Sequence, residues 1–80
     1  MHIQRTLNNT DIGESVVVKA ITAHGSMRRR FLDIGLSEGT AVECVGKSPA
    51  GDPAAYLIRG AVIAIRSEDS RDIIVEQEGE

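Results

Sequence analysis

Ser26-Met27-Arg28-Arg29-Arg30-Phe31-Leu32-Asp33-Ile34-Gly35-Leu36-Ser37-Glu38-Gly39-Thr40-Ala41-Val42-Glu43-Cys44-Val45 is the stretch that decides the fold. Its first half reads as a short helix over 27–34. Ser26 is a favoured N-cap residue, and Met27, Phe31 and Ile34 follow at i, i+4 and i+7, one face of a helix. Gly35 stands where a left-handed residue ends a helix, and Leu36 then folds back on Phe31. Ser37-Glu38-Gly39-Thr40 is a turn. Thr40 to Lys47 is a strand that puts Val42 and Cys44 on one face. A DNA-reading helix-turn-helix needs a second helix after the turn, and a strand stands there instead.

Working outward, Thr10 to Glu14 is a turn, with Asp11 and Gly13 supplying the turn chemistry. Ser15 to Thr22, with Val16, Val17, Val18 and Ile21, is a strand rich in β-branched residues, broken by His24-Gly25. Downstream, Gly46 to Pro53 holds two prolines and two glycines, which no central strand accommodates. Ala55 to Arg59 and Ala61 to Arg66 form a tight hairpin with Gly60 at positive φ. Glu68 to Arg71 is a connection, and Asp72 to Glu76 the last strand. Five short strands and one short helix, with turn signals every 8–15 residues or so, specify a mainly all-β chain. The expected architecture is a small, partly open five-stranded barrel in one domain over 1–80. The core is expected over about 7–77, with 78–80 as a disordered tail. An open barrel leaves an edge at which a homo-oligomer can pair.

Composition narrows the function classes. Eighty residues provide one core worth roughly 3–5 kcal/mol, little for a strained catalytic pocket. With no Trp, one Tyr (Tyr56) and one Phe (Phe31), the chain lacks the rings that line proline-peptide grooves or stack on bases. The net charge of −3 argues against nucleic-acid binding. One cysteine excludes an internal disulfide and fits a reducing compartment. Neither a signal peptide nor an apolar run of ~20 residues is visible. A cytoplasmic protein without direct membrane insertion is expected.

The candidate chemistry is sparse. Cys44, His2 and His24 are the soft or borderline ligands, and none is paired at zinc-site spacing. Cys44 shares a strand face with Val42, where a free cysteine acts as a small hydrophobe, so it is a weak metal candidate. Asp72, Glu76, Glu78 and Glu80 make the C-terminus acidic, with at most weak attraction for a hard cation. No nucleophile has a base and an orienting group beside it, and no phosphate-cradling glycine loop exists. Arg28, Arg29 and Arg30 fan over roughly 200° of the helix. Either all three solvate its outer face, or at least one, Arg29 or Arg30, meets an acidic partner with fork-like bonds.

The order of motifs resembles a known family. Arg28-Arg29-Arg30-Phe31-Leu32-Asp33-Ile34-Gly35-Leu36, followed by Glu38-Gly39-Thr40, resembles the R-R-x-L-x-x-L-G-L-x-P-G-T segment of the ferrous iron transport protein A family. Pro49-Ala50-Gly51-Asp52-Pro53 resembles its P-x-G-D-P loop. Arg59-Gly60 and Ala64-Ile65-Arg66 with Glu68 resemble its R-G…A-L-R-x-x-E stretch. The likeness runs from about Thr10 to Glu76. It implies an SH3-like barrel, no catalysis, and a cytosolic protein-interaction module that docks on the cytosolic domain of a membrane GTPase transporter for ferrous iron. The segments implied to touch the partner are the helix, the turn after it and the Pro49–Pro53 loop, through Arg28, Arg29, Arg30, Glu38, Asp52 and Pro53. Direct iron binding as a carrier or sensor is the alternative, with Cys44 or the acidic tail as ligand; a small barrel that binds nucleic acid is a further one, which the charge disfavours. Glu38 stands where the family has proline, which removes a fixed φ from the turn.

Overall fold

The computed structural model describes residues 4–78; His2, Glu80 and most of the expected tail lie outside them. Six strands form one antiparallel sheet: β1 (Arg5–Thr6), β2 (Ser15–Ile21), β3 (Ala41–Lys47), β4 (Ala54–Ile58), β5 (Ala61–Ile65) and β6 (Ile73–Gln77). The spatial order is β1-β6-β2-β3-β4-β5. A helix, α1 (Gly25–Asp33), follows β2, and a four-residue helix, α2 (Ser67–Ser70), follows β5. A 3-10 turn, Leu7–Asn9, follows β1.

The sheet coils because each long strand buries one face. Val16 and Val18 of β2, Val42 and Cys44 of β3, Tyr56 and Ile58 of β4, and Ile73 and Val75 of β6 are buried, as are Phe31 and Leu36. That is the period-2 pattern of strands wrapped on one core. Two register shifts, between Val18 and Ala20 and between Cys44 and Gly46, sharpen the bend. The open barrel is as expected, with its edges at β1 and β5.

Three local expectations need correction. There are six strands rather than five among the described residues, because β1 adds two residues whose partner is β6. The helix is Gly25–Asp33, not 27–34; His24 occupies the N-cap position and no side chain caps that end. The segment expected as a plain connection contains α2, whose N-terminus is held from another loop.

The other end of α1 closes as the sequence implies. The Leu36 N–H donates to Phe31 O at 2.9 Å and the Gly35 N–H to Leu32 O at 3.1 Å. With Gly35 at φ +100°, this is the paired-bond ending of a helix, sealed by Phe31 and Leu36 in the core.

Candidate docking site

α1 lies with Phe31 buried and Met27 and Ile34 partly buried against the core, so the arginines between them face outward. All three are exposed, but they are not equivalent. Arg28 Nη1 donates to the Ile21 carbonyl at 3.0 Å, which pins it to the end of β2. The side chains of Arg29 and Arg30 make no hydrogen bond or ion pair among the described residues. Arg30 leans over a hollow of about 290 Å³ between α1 and β5.

That hollow has mixed walls. Met27, Phe31, Ile34, Ile63 and Ile65 supply apolar walls, while Arg30, Arg66 and Asp69 stand around it. Pro53, half-buried, closes one end. Asp69 forms no ion pair with either arginine, so the guanidinium groups stay available. The volume is at the bottom of the range of small-molecule sites.

The other candidates divide between scaffold and surface. Asp52 is exposed, and its carboxylate accepts the Ser67 N–H at 2.9 Å and the Ser67 hydroxyl at 3.2 Å. It thereby satisfies one orphan backbone N–H at the start of α2. The loop before it is closed by Ser48, whose hydroxyl donates to Asp52 O at 2.7 Å, and the Asp52–Pro53 peptide is cis. Glu38 is exposed at the tip of a turn in which the Thr40 N–H donates to Ser37 O at 3.0 Å. Gly39, at φ +87°, supplies the positive φ the turn requires.

Cys44 is fully buried, and Gly46 O, 3.7 Å from Sγ, is its polar neighbour. No group of three or more His, Cys, Asp or Glu side chains gathers among the described residues. Arg5 and Glu14 form an ion pair that raises the Arg5 pKa and lowers that of Glu14, chiefly through their mutual hydrogen bond. Burial pushes the Tyr56 hydroxyl up; it donates to Leu7 O at 3.4 Å.

Two residues near this site escape a reading of the sequence alone. Arg66 looked like the end of a strand, and only the packing of α1 brings it to the groove. Arg59, in the hairpin turn, reaches across to donate to Gly35 O at 3.2 Å and to Thr40 Oγ1 at 3.1 Å. It ties that turn to the C-terminal end of α1, where a cation is favoured.

A coiled antiparallel sheet with one substantial helix and an arginine-edged groove defines the class: a small SH3-like barrel. The chain belongs to the FeoA domain family, whose model matches residues 5–77. That family is one of ferrous iron transport and is not a known enzyme family. Over 70 residues (88% of the chain) it is 30% identical to a Fe(2+) transport protein A/Fe(2+) transporter FeoB fusion protein of Porphyromonas gingivalis. The chain spans only 8% of that fusion protein's length. It is similar to the solved FeoA-like protein of Clostridium acetobutylicum, with 35% identity, TM-score 0.87, and 100% and 93% of the two chains covered. It also resembles the Stenotrophomonas maltophilia FeoA crystallised with zinc and described as a prokaryotic SH3 domain protein. There the identity is 25%, the TM-score 0.80, and the coverage 90% and 89%. No helix among the described residues is long and apolar enough to cross a membrane.

Proposed function

We propose that this chain is a cytoplasmic accessory module of ferrous iron uptake that docks on the cytosolic GTPase domain of a membrane iron transporter. The observation that carries the reading is the relative in which an FeoA portion and the FeoB transporter share one polypeptide. Fusion holds the two at high effective concentration within that one polypeptide, an arrangement of use where the two portions meet. The outward-facing Arg29 and Arg30 are the side chains on α1 with fork-like donors left over for such a partner.

In this reading the chain does no chemistry itself, and iron is the transporter's cargo. Calorimetric titration of the transporter's GTPase domain with the wild-type chain and with R29E/R30E tests it. Binding that is weakened at least tenfold by the double charge reversal supports the reading. Equal binding by both removes α1 from the interface, and no binding by either removes the docking role. Anaerobic calorimetry with ferrous iron alone separates this from direct iron carriage: stoichiometric uptake abolished by C44S would favour the carrier.

A further inference from the structure

β5 is an edge strand without charged or proline protection. Its sequence, Ala61-Val62-Ile63-Ala64-Ile65, has no charge and no proline, although natural edges carry such residues to block pairing. Val62 is 63% exposed. The other edge, β1, is only two residues long.

The register shows which backbone groups the edge offers. Arg59 (φ +48°) and Gly60 (φ +85°) make a two-residue turn, so the flanking pair Ile58↔Ala61 exchanges hydrogen bonds. Alternation down an antiparallel ladder makes Tyr56↔Ile63 and Ala54↔Ile65 the next bonded pairs. The N–H and C=O groups of Val62 and Ala64 therefore point away from β4. No strand pairs with β5 on that side, and neither residue has another backbone partner among the described residues. The groove runs along this edge: Ile63, Ala64 and Ile65, consecutive residues of both faces, line it together with Met27 of α1 and Ile34 just after it.

We infer that β5 is an acceptor strand: an extended segment of the partner adds to the sheet at Val62 and Ala64, lying in the slot between β5 and α1. Main-chain hydrogen bonds hold such a segment, and pockets for alternate side chains select it. The slot selects apolar side chains toward Met27, Ile34 and Ile63, with acidic ones flanking them to meet Arg30 and Arg66. Charge decides against a second copy of the chain as occupant. Pairing β5 with β5 would bring two Arg30 and two Arg66 side chains to one seam with only two Asp69 carboxylates between them. An acidic segment places opposite charge there instead. This inference rests on the docking reading and specifies the contact within it.

Ala64→Pro is the informative change. Its N–H faces outward, so proline removes the donor offered to the partner while leaving the β4–β5 ladder intact. The probe is the transporter's GTPase domain, titrated against the wild-type chain and A64P, with amide hydrogen exchange of the wild-type chain read by NMR. The expected result is at least tenfold weaker binding by A64P, with unchanged circular dichroism. The Val62 and Ala64 amides should also exchange at least tenfold more slowly in the wild-type complex, a readout that needs no variant. Wild-type binding in which those two amides exchange as fast as in the free chain overturns strand addition and leaves docking standing. Absence of wild-type binding overturns both. Slow exchange at Val62 and Ala64 that depends on the chain's own concentration, without the probe, overturns the assigned occupant in favour of a second copy.

Discussion

Replacing Gly35 with alanine tests how the helix, the hairpin turn and the turn after α1 are locked together. Gly35 sits at φ +100°, where an L-residue costs about 1–2 kcal/mol. A Cβ there would lie 2.7 Å from Arg59 Cδ and 3.1 Å from its Nε. Arg59 must therefore swing away, giving up its bonds to Gly35 O and Thr40 Oγ1. Arg59 is exposed, so these bonds together contribute about 1 kcal/mol. The lower entropy of the unfolded alanine chain returns roughly 0.5 kcal/mol. G35A should lose about 1.5–2.5 kcal/mol, a large share of a core worth roughly 3–5 kcal/mol. Urea unfolding followed by far-ultraviolet circular dichroism suits a chain without tryptophan. The cycle with R59A isolates the clash. Alanine at position 59 keeps the backbone and removes the side chain, so the double variant should lose about 1 kcal/mol less than the two single losses added together. A G35A protein within about 0.5 kcal/mol of wild type, or an additive cycle, would refute the steric and bonding account of this lock.

Three further outcomes are expected. The Thr10 hydroxyl is buried without a partner among the described residues, so T10V should raise stability by about 1 kcal/mol in the same urea assay. D52A removes the acceptor for both Ser67 donors; it should cost about 1 kcal/mol and speed amide exchange at Ser67. Tyr56 ionises above the ordinary tyrosine value of 10.0 because burial penalises its anion. The folded state then holds a proton that the unfolded state releases, so this stability is complete below pH 10 and falls as pH rises beyond it. Y56F should remove that alkaline component, and pH-dependent unfolding with tyrosinate absorbance measures it.

What the sequence made legible follows the range of the interactions involved. The long strands were readable because β-branched runs such as Val16-Val17-Val18 and Ile73-Ile74-Val75 mark them within their own segments. The end of α1 was readable because Phe31, Gly35 and Leu36 carry its closing motif within six residues. β1 was not, since Arg5-Thr6 has no pattern of its own and becomes a strand only by pairing with Ile74 and Val75. α2 was not, because the backbone N–H at its start is satisfied by Asp52, 15 residues earlier. The start of α1 moved to Gly25, whose φ of +63° turns the chain into the helix without a capping side chain.

The site divides in the same way. Arg29 and Arg30 stood out as a charge run on an acidic chain. Arg66 and the free edge of β5 did not, because the groove exists only where α1 packs beside that strand. Asp52 was singled out as a partner contact on the Pro49–Pro53 loop, yet its carboxylate bonds to Ser67 of α2. Arg59 was read with Gly60 as a hairpin, while its guanidinium bonds to Gly35, 24 residues away.

Mapping backbone amide shifts of the isotope-labelled chain during titration with the transporter's GTPase domain addresses the docking claim most directly. Perturbations should concentrate on Arg29, Arg30 and Ile63 to Arg66, with Lys19 and Glu76 on the β2–β6 surface left unmoved. A spectrum that does not change, or changes centred on Lys19 and Glu76, would contradict it.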